Sequence, residues 1–126
     1  MRREIRNWWL QAKHDLSAAE KNLNCEEFYL VAFLAHQSVE KGLKAAIMKK
    51  FGEISQTHSL IELGKKLKVS ETILKSLRMM SPDYIISRYP DATDSVPYEN
   101  YDKESALDRL ENAKRVFEWL QLQMKE

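Results

Sequence analysis

The sequence is short of the residues that break or staple a chain. Its 126 residues include three glycines, three prolines and one cysteine. The lone Cys25 excludes an intrachain disulfide and fits a reducing compartment. So few turn formers argue against many short strands and for an all-α domain. No apolar run approaches ~18 residues, and no cationic segment with an apolar core opens the sequence, so a cytoplasmic setting without membrane contact is expected. Charge of one sign is lacking as well. Twenty basic and 19 acidic residues leave a net charge of +1, so no global field selects nucleic acid or an anionic surface, and any phosphate site must be local. There is no phosphate loop, no dinucleotide fingerprint, and no Ser or Cys nucleophile beside a base. The three histidines are far apart, with no His-x-x-x-His or Glu-x-x-His pair, so neither a metal nor a cofactor is expected.

What is present is helical periodicity. The length suits one domain over residues 1–126. Residues 26–51 contain no proline and only Gly42, and are apolar nearly all round, which predicts a long central helix. From about Arg3 to Leu23, Ile5, Trp8, Trp9, Ala12, Leu16, Ala19 and Leu23 form the stripe of a first helix, with Asn24 as its C-cap or turn residue. Thr57 is placed to cap a short helix through Leu67, with His58 capping or anchoring it. Ser70 and Glu71 open another, ended by Ser81 and Pro82. Asp102 is a good N-cap for a last helix with a stripe of Leu107, Leu110, Ala113, Phe117, Leu120 and Met124. Three long and two short helices make an up-and-down bundle. Val116 and Trp119 lie off the main stripe, and with the adjacent Trp8 and Trp9 they give more apolar surface than one bundle needs, which predicts a homodimer.

Two stretches attract a functional reading. Along the central helix Gln37, Glu40, Lys41 and Lys44 share a stripe beside His36, with Phe33 one turn earlier. His36 reads either as a ligand to a base or phosphate, or as a buried histidine with an internal partner. Glu40 and Lys44 read as an exposed i,i+4 pair, while Lys41 and Lys44 can alternatively reach a phosphate. The second stretch, residues 81–102, holds all three prolines and four of the five tyrosines. Arg88, beside Tyr89, suits bidentate phosphate contact with a base stacked nearby, or else pairs with Asp91 or Asp94. Tyr84, Tyr89, Tyr98 and Tyr101 either stack bases or pin the loop to the bundle. His14 is expected on the solvent side of the first helix.

Trp9, Ala12, Asp15, Leu16 and Ala19, the run AFLAHQSVEKGLKA from Ala32 to Ala45, THSLIEL from Thr57 to Leu63, and RYPD from Arg88 to Asp91 together resemble a HEPN domain. The resemblance covers nearly the whole chain. It implies a helical bundle that usually dimerises, and small prokaryotic proteins often paired with a separately encoded minimal nucleotidyltransferase in toxin–antitoxin-like systems. Family members are linked to nucleotide binding, and a large subset are metal-independent ribonucleases in which an Arg is followed, after four to six residues, by a His. After Arg88 those positions are Thr93, Asp94 and Ser95; Arg78 leads to Asp83, Tyr84 and Ile85, and Arg109 to Lys114, Arg115 and Val116. None supplies an imidazole. The expectation is therefore a nucleotide- or RNA-binding module without that catalytic motif, with His36, Gln37, Lys41, Lys44, Arg88, Tyr89 and Asp91 as nucleotide-binding residues. Its rivals are a ribonuclease using His36 or His58, and a purely structural partner subunit.

Overall fold

The computed structural model describes all residues, 1–126. It is all-helical: α1 (Arg3–Asn24), α2 (Phe28–Phe51), α3 (Leu60–Lys66), α4 (Glu71–Met80), the single turn α5 (Asp83–Ile86), a 3-10 turn at Pro97–Glu99, and α6 (Lys103–Gln123). The three long helices and two short ones are those the periodicity predicts. No helix is long and apolar enough to cross a membrane.

Helix α2 is the axis. It packs on α1 and α6, and also on α3, α5 and the 3-10 turn. Fourteen of its residues are buried, from Val31 to Met48. Gly42 explains how α6 comes so close: a Cβ there would stand 2.6 Å from Leu120 Cδ1 and 3.5 Å from the Trp9 ring. The core that results runs from Ile5 and Trp9 through Leu43 and Ile47 to Leu77, Val116 and Leu120, with Trp9 stacked on Phe117 at 5.4 Å.

The caps follow local chemistry, with one correction. Ser70 accepts from Ile73 N, and Asp102 accepts from Ser105 N in a reciprocal capping box. Ser59, not Thr57, caps α3 by accepting from Glu62 N; Thr57 Oγ1 instead accepts from Ser59 N and donates to Glu62. Helix α1 runs through Asn24 to a C-cap at Cys25. The chain turns through Glu26 at φ 59°, and α2 then ends on Gly52 at φ 70°, a left-handed residue suited to glycine. On α6 the expected stripe is rotated slightly: Leu107 is 43% exposed, whereas Val116 is fully buried in the core. The apolar excess inferred from Val116 is therefore ordinary core.

Residues 81–102 are anchored rather than loose. Asp83, on α5, is buried and accepts from the Tyr101 hydroxyl at 2.7 Å and from Arg109 Nε at 2.7 Å. Burial pushes the Asp83 carboxyl up, opposed by those two partners, and burial beside that carboxylate also pushes the Tyr101 phenol up. Tyr101 is thus a pin, one of the two roles its loop position allowed. Asp83→Ala is expected to cost about 1 to 3 kcal/mol by leaving the Tyr101 hydroxyl without its acceptor and Arg109 with Asp108 alone. Urea denaturation measures the loss, and amide exchange in 84–100 should rise more than in α2.

Candidate functional site

The centre of the site is Glu40, which the sequence presents as half of an exposed pair and the structure buries at 5% exposure. Its i+4 partner Lys44 is buried too and donates to Glu40 Oε2 at 3.0 Å. The reason is tertiary: the segment leading into α3 lies across this face of α2, and His58 Nδ1 donates to the same oxygen at 3.0 Å. His58 therefore anchors through α2 rather than capping α3. Burial raises the Glu40 carboxyl, but hydrogen bonds from His58 and Lys44 and the charge of Lys44 outweigh it, holding the group below the usual carboxylate range.

His36 sits one turn before Glu40 and is 1% exposed. It takes neither partner expected of a buried histidine. Nδ1 is 3.8 Å from Glu40 Oε1, beyond hydrogen-bond reach, and both ring nitrogens and that carboxylate oxygen lack any partner. Burial lowers the imidazole from 6.5 to about 4, against the attraction of Glu40 and with help from the charge of Arg88, so the ring is neutral near pH 7.

The short helix α5 supplies the other wall. It places Tyr84 one turn before Arg88, so that Tyr84, not Tyr89, is the aromatic beside the guanidinium. Tyr84 stacks on His58 at 4.7 Å and lies 5.6 Å from the His36 ring. The Arg88 guanidinium carbon is 4.6 Å from the Tyr84 ring and 4.7 Å from Phe33 on α2. Its Nε donates to the Tyr84 carbonyl at 3.2 Å. Neither Asp91 nor Asp94 pairs with it, and its two terminal nitrogens have no protein acceptor. The other two candidate arginines are consumed in ion pairs, Arg78 with Glu71 and Arg109 with Asp83 and Asp108.

Of the residues singled out from sequence, His36, Lys44 and Arg88 are thus drawn to one region with Glu40, His58, Tyr84 and Phe33. Gln37 is half-buried on the intervening turn of α2. Lys41 is directed elsewhere, donating to Asp15 on α1 at 2.6 Å. Tyr89 and Asp91 are exposed and outside the cluster. The role of Tyr84 was accessible through its i,i+4 spacing to Arg88, once residues 83–86 are taken as a helical turn. His58 had no such local signal. No group of three or more His, Cys, Asp or Glu side chains is arranged to hold a metal ion.

The low affinity of buried His36 for protons has a measurable consequence. The unfolded chain binds a proton near pH 6.5 that the folded chain refuses until about 4, so stability is full above that window and falls as pH drops through it. At about 1.4 kcal/mol per pH unit the full effect is roughly 3 kcal/mol. Glu40, also depressed, acts in the same direction. Denaturant titrations from pH 7.5 to pH 4 should show this decline, with a shallower slope in His36→Gln.

The family model described as HEPN domain matches residues 5–123. Among solved structures, TT1696 from Thermus thermophilus superposes with a TM-score of 0.89 at 25% identity, covering 98% of this chain and 100% of that one. ST0689, an archaeal HEPN homologue, superposes with a TM-score of 0.80 at 29% identity, covering 99% and 100%. No curated protein matches the sequence.

Proposed function

The chain belongs to the HEPN domain family, and we propose that within it the protein is a non-catalytic module that binds a nucleotide or RNA phosphate between α2 and α5. The observation that carries this reading is the state of Arg88. Its guanidinium is held against Phe33 and Tyr84, its Nε is spent on the Tyr84 carbonyl, and its terminal nitrogens remain without a protein acceptor. That is a preorganised fork for a phosphate, at little ordering cost on binding. The His36 ring, with both nitrogens unpartnered, lies 5.6 Å from the Tyr84 ring that braces this fork. Gln37 and Lys44 border the same strip of α2, while Tyr89 and Asp91 lie outside it.

The absence of a histidine at 93, 94 or 95, after four to six intervening residues from Arg88, supports a binding role over the family's nuclease chemistry. We also propose a separately encoded minimal nucleotidyltransferase as partner, in a toxin–antitoxin-like pair. We propose a homodimer as well, as is usual for the family. One contact favours the rival ribonuclease reading: a half-exposed His58 oriented by buried Glu40 has the form of an imidazole–carboxylate general-base pair. Metal-free RNA cleavage lost in His58→Ala but kept in His14→Ala would establish it.

The deciding experiment is an amide-resolved NMR titration with ATP, GTP and a short RNA, repeated on Arg88→Ala. Saturable shifts confined to residues 33–44, 58 and 84–91, and lost in the variant, are the expected result. Unmoved peaks at millimolar ligand would overturn the reading.

A further inference from the structure

The partly exposed stripe of α2 formed by Phe33, Gln37 and Lys41 continues toward α1 into a surface cavity of about 260 Å³ lined by Asn7, Trp8, Gln11 and Lys41. Trp8 is half-buried, and Lys44, part of the Glu40 cluster, reaches to 5.9 Å from its ring, so the two sites are contiguous. Asp15, only 6% exposed, organises the polar side of this cavity. Lys41 donates to Asp15 Oδ2 at 2.6 Å and Gln11 to Oδ1 at 2.9 Å. The pairing cancels the charge of Lys41, and it leaves the Gln11 carbonyl oxygen, the Asn7 amide and the remaining ammonium protons available. A neutral cavity with an indole and two amides suits an uncharged planar ring with polar edges, not a phosphate.

The spacing along α2 sets the scale. Arg88 sits over Phe33 and the cavity begins at Lys41, eight residues on, or ~12 Å at the helical rise. A stacked strand advances about 3.4 Å per nucleotide. We propose that the Trp8 cavity is a base-stacking subsite for a single-stranded oligonucleotide whose phosphate, about three to four nucleotides away, is held at Arg88. This rests on the Arg88 reading above and adds to it that the ligand is an oligonucleotide track rather than one nucleotide. Both carboxylates along the way, Glu40 and Asp15, are buried and carry a lysine, so the strand's phosphates meet no bare negative charge.

The test compares AMP with short oligoadenylates, ribose and deoxyribose forms, by calorimetry and fluorescence anisotropy. The oligonucleotide is expected to bind at least about tenfold tighter than AMP, and Trp8→Ala to cost it about tenfold through the lost stack. Because Trp8 also packs on the core, Asn7→Glu at an exposed helical position serves as the second variant; it should weaken the oligonucleotide several-fold with thermal stability unchanged. The increment lost in the two variants, compared between the sugar forms, identifies which strand the track takes. If the oligonucleotide binds and depends on Arg88 but is indifferent to both Trp8→Ala and Asn7→Glu, or binds no tighter than AMP, the track is overturned and the Arg88 site stands. If the oligonucleotide fails to bind at all, both fall together.

Discussion

A carboxylate inside the central helix sets the terms for everything around it. Glu40 cannot leave water uncompensated, because an isolated buried charge costs several kcal/mol even after relaxation. Lys44 supplies the counter-charge from one turn away, and His58 supplies a second hydrogen bond from the segment before α3. Holding His58 there brings its ring against Tyr84, and Tyr84 carries Arg88 on the next turn of the chain. The placement of α3 and α5 on α2 is therefore tied to one buried side chain. The unpartnered face of Glu40 and the His36 ring beside it remain the least satisfied part of an otherwise well-paired interior.

The second buried carboxylate, Asp83, does for the long loop what Glu40 does for the helix face. It ties the start of residues 81–102 to their end through Tyr101 and to α6 through Arg109. Arg88 lies five residues past that tie, so the guanidinium is carried on a short, braced arm. Asp15 is the third of the kind, fixing Lys41 and Gln11 between α1 and α2. Each of the three is buried and each holds a basic side chain in a defined place.

Much of this was legible before any coordinates. The order of the three long and two main short helices follows from the 3.6-residue pattern, though the single turns at 83–86 and 97–99 do not, and the caps at Ser70 and Asp102 follow from side-chain chemistry acting within a few residues. The stretches around His36 and Arg88 were also visible as chemically distinctive, and the fold brings them together. What sequence could not place was anything decided between distant segments. The Glu40–Lys44 pair has the spacing of a solvated surface pair, and only the arrival of residue 58 makes it interior. Lys41 and Lys44, three residues apart, share a stripe on paper, yet Asp15 draws one toward α1 while Glu40 holds the other. The shift of the α3 cap from Thr57 to Ser59 is of the same origin: Ser and Thr two residues apart are equally good caps locally, and packing of Leu60 selects the register.

The Asp83–Tyr101 tie divides the loop into two regimes. Before Arg88 the backbone is braced and the 3-10 turn at Pro97–Glu99 packs on α2, whereas residues 90–95 are held mainly by exposed contacts among Thr93, Ser95 and Asn100. With its two ends clamped together, that segment is a closed appendage whose length is geometrically independent of the bundle. A protease cut, a grafted peptide or an inserted tag there would leave both the core and the guanidinium where they are, which makes it the natural place on this protein to attach a probe.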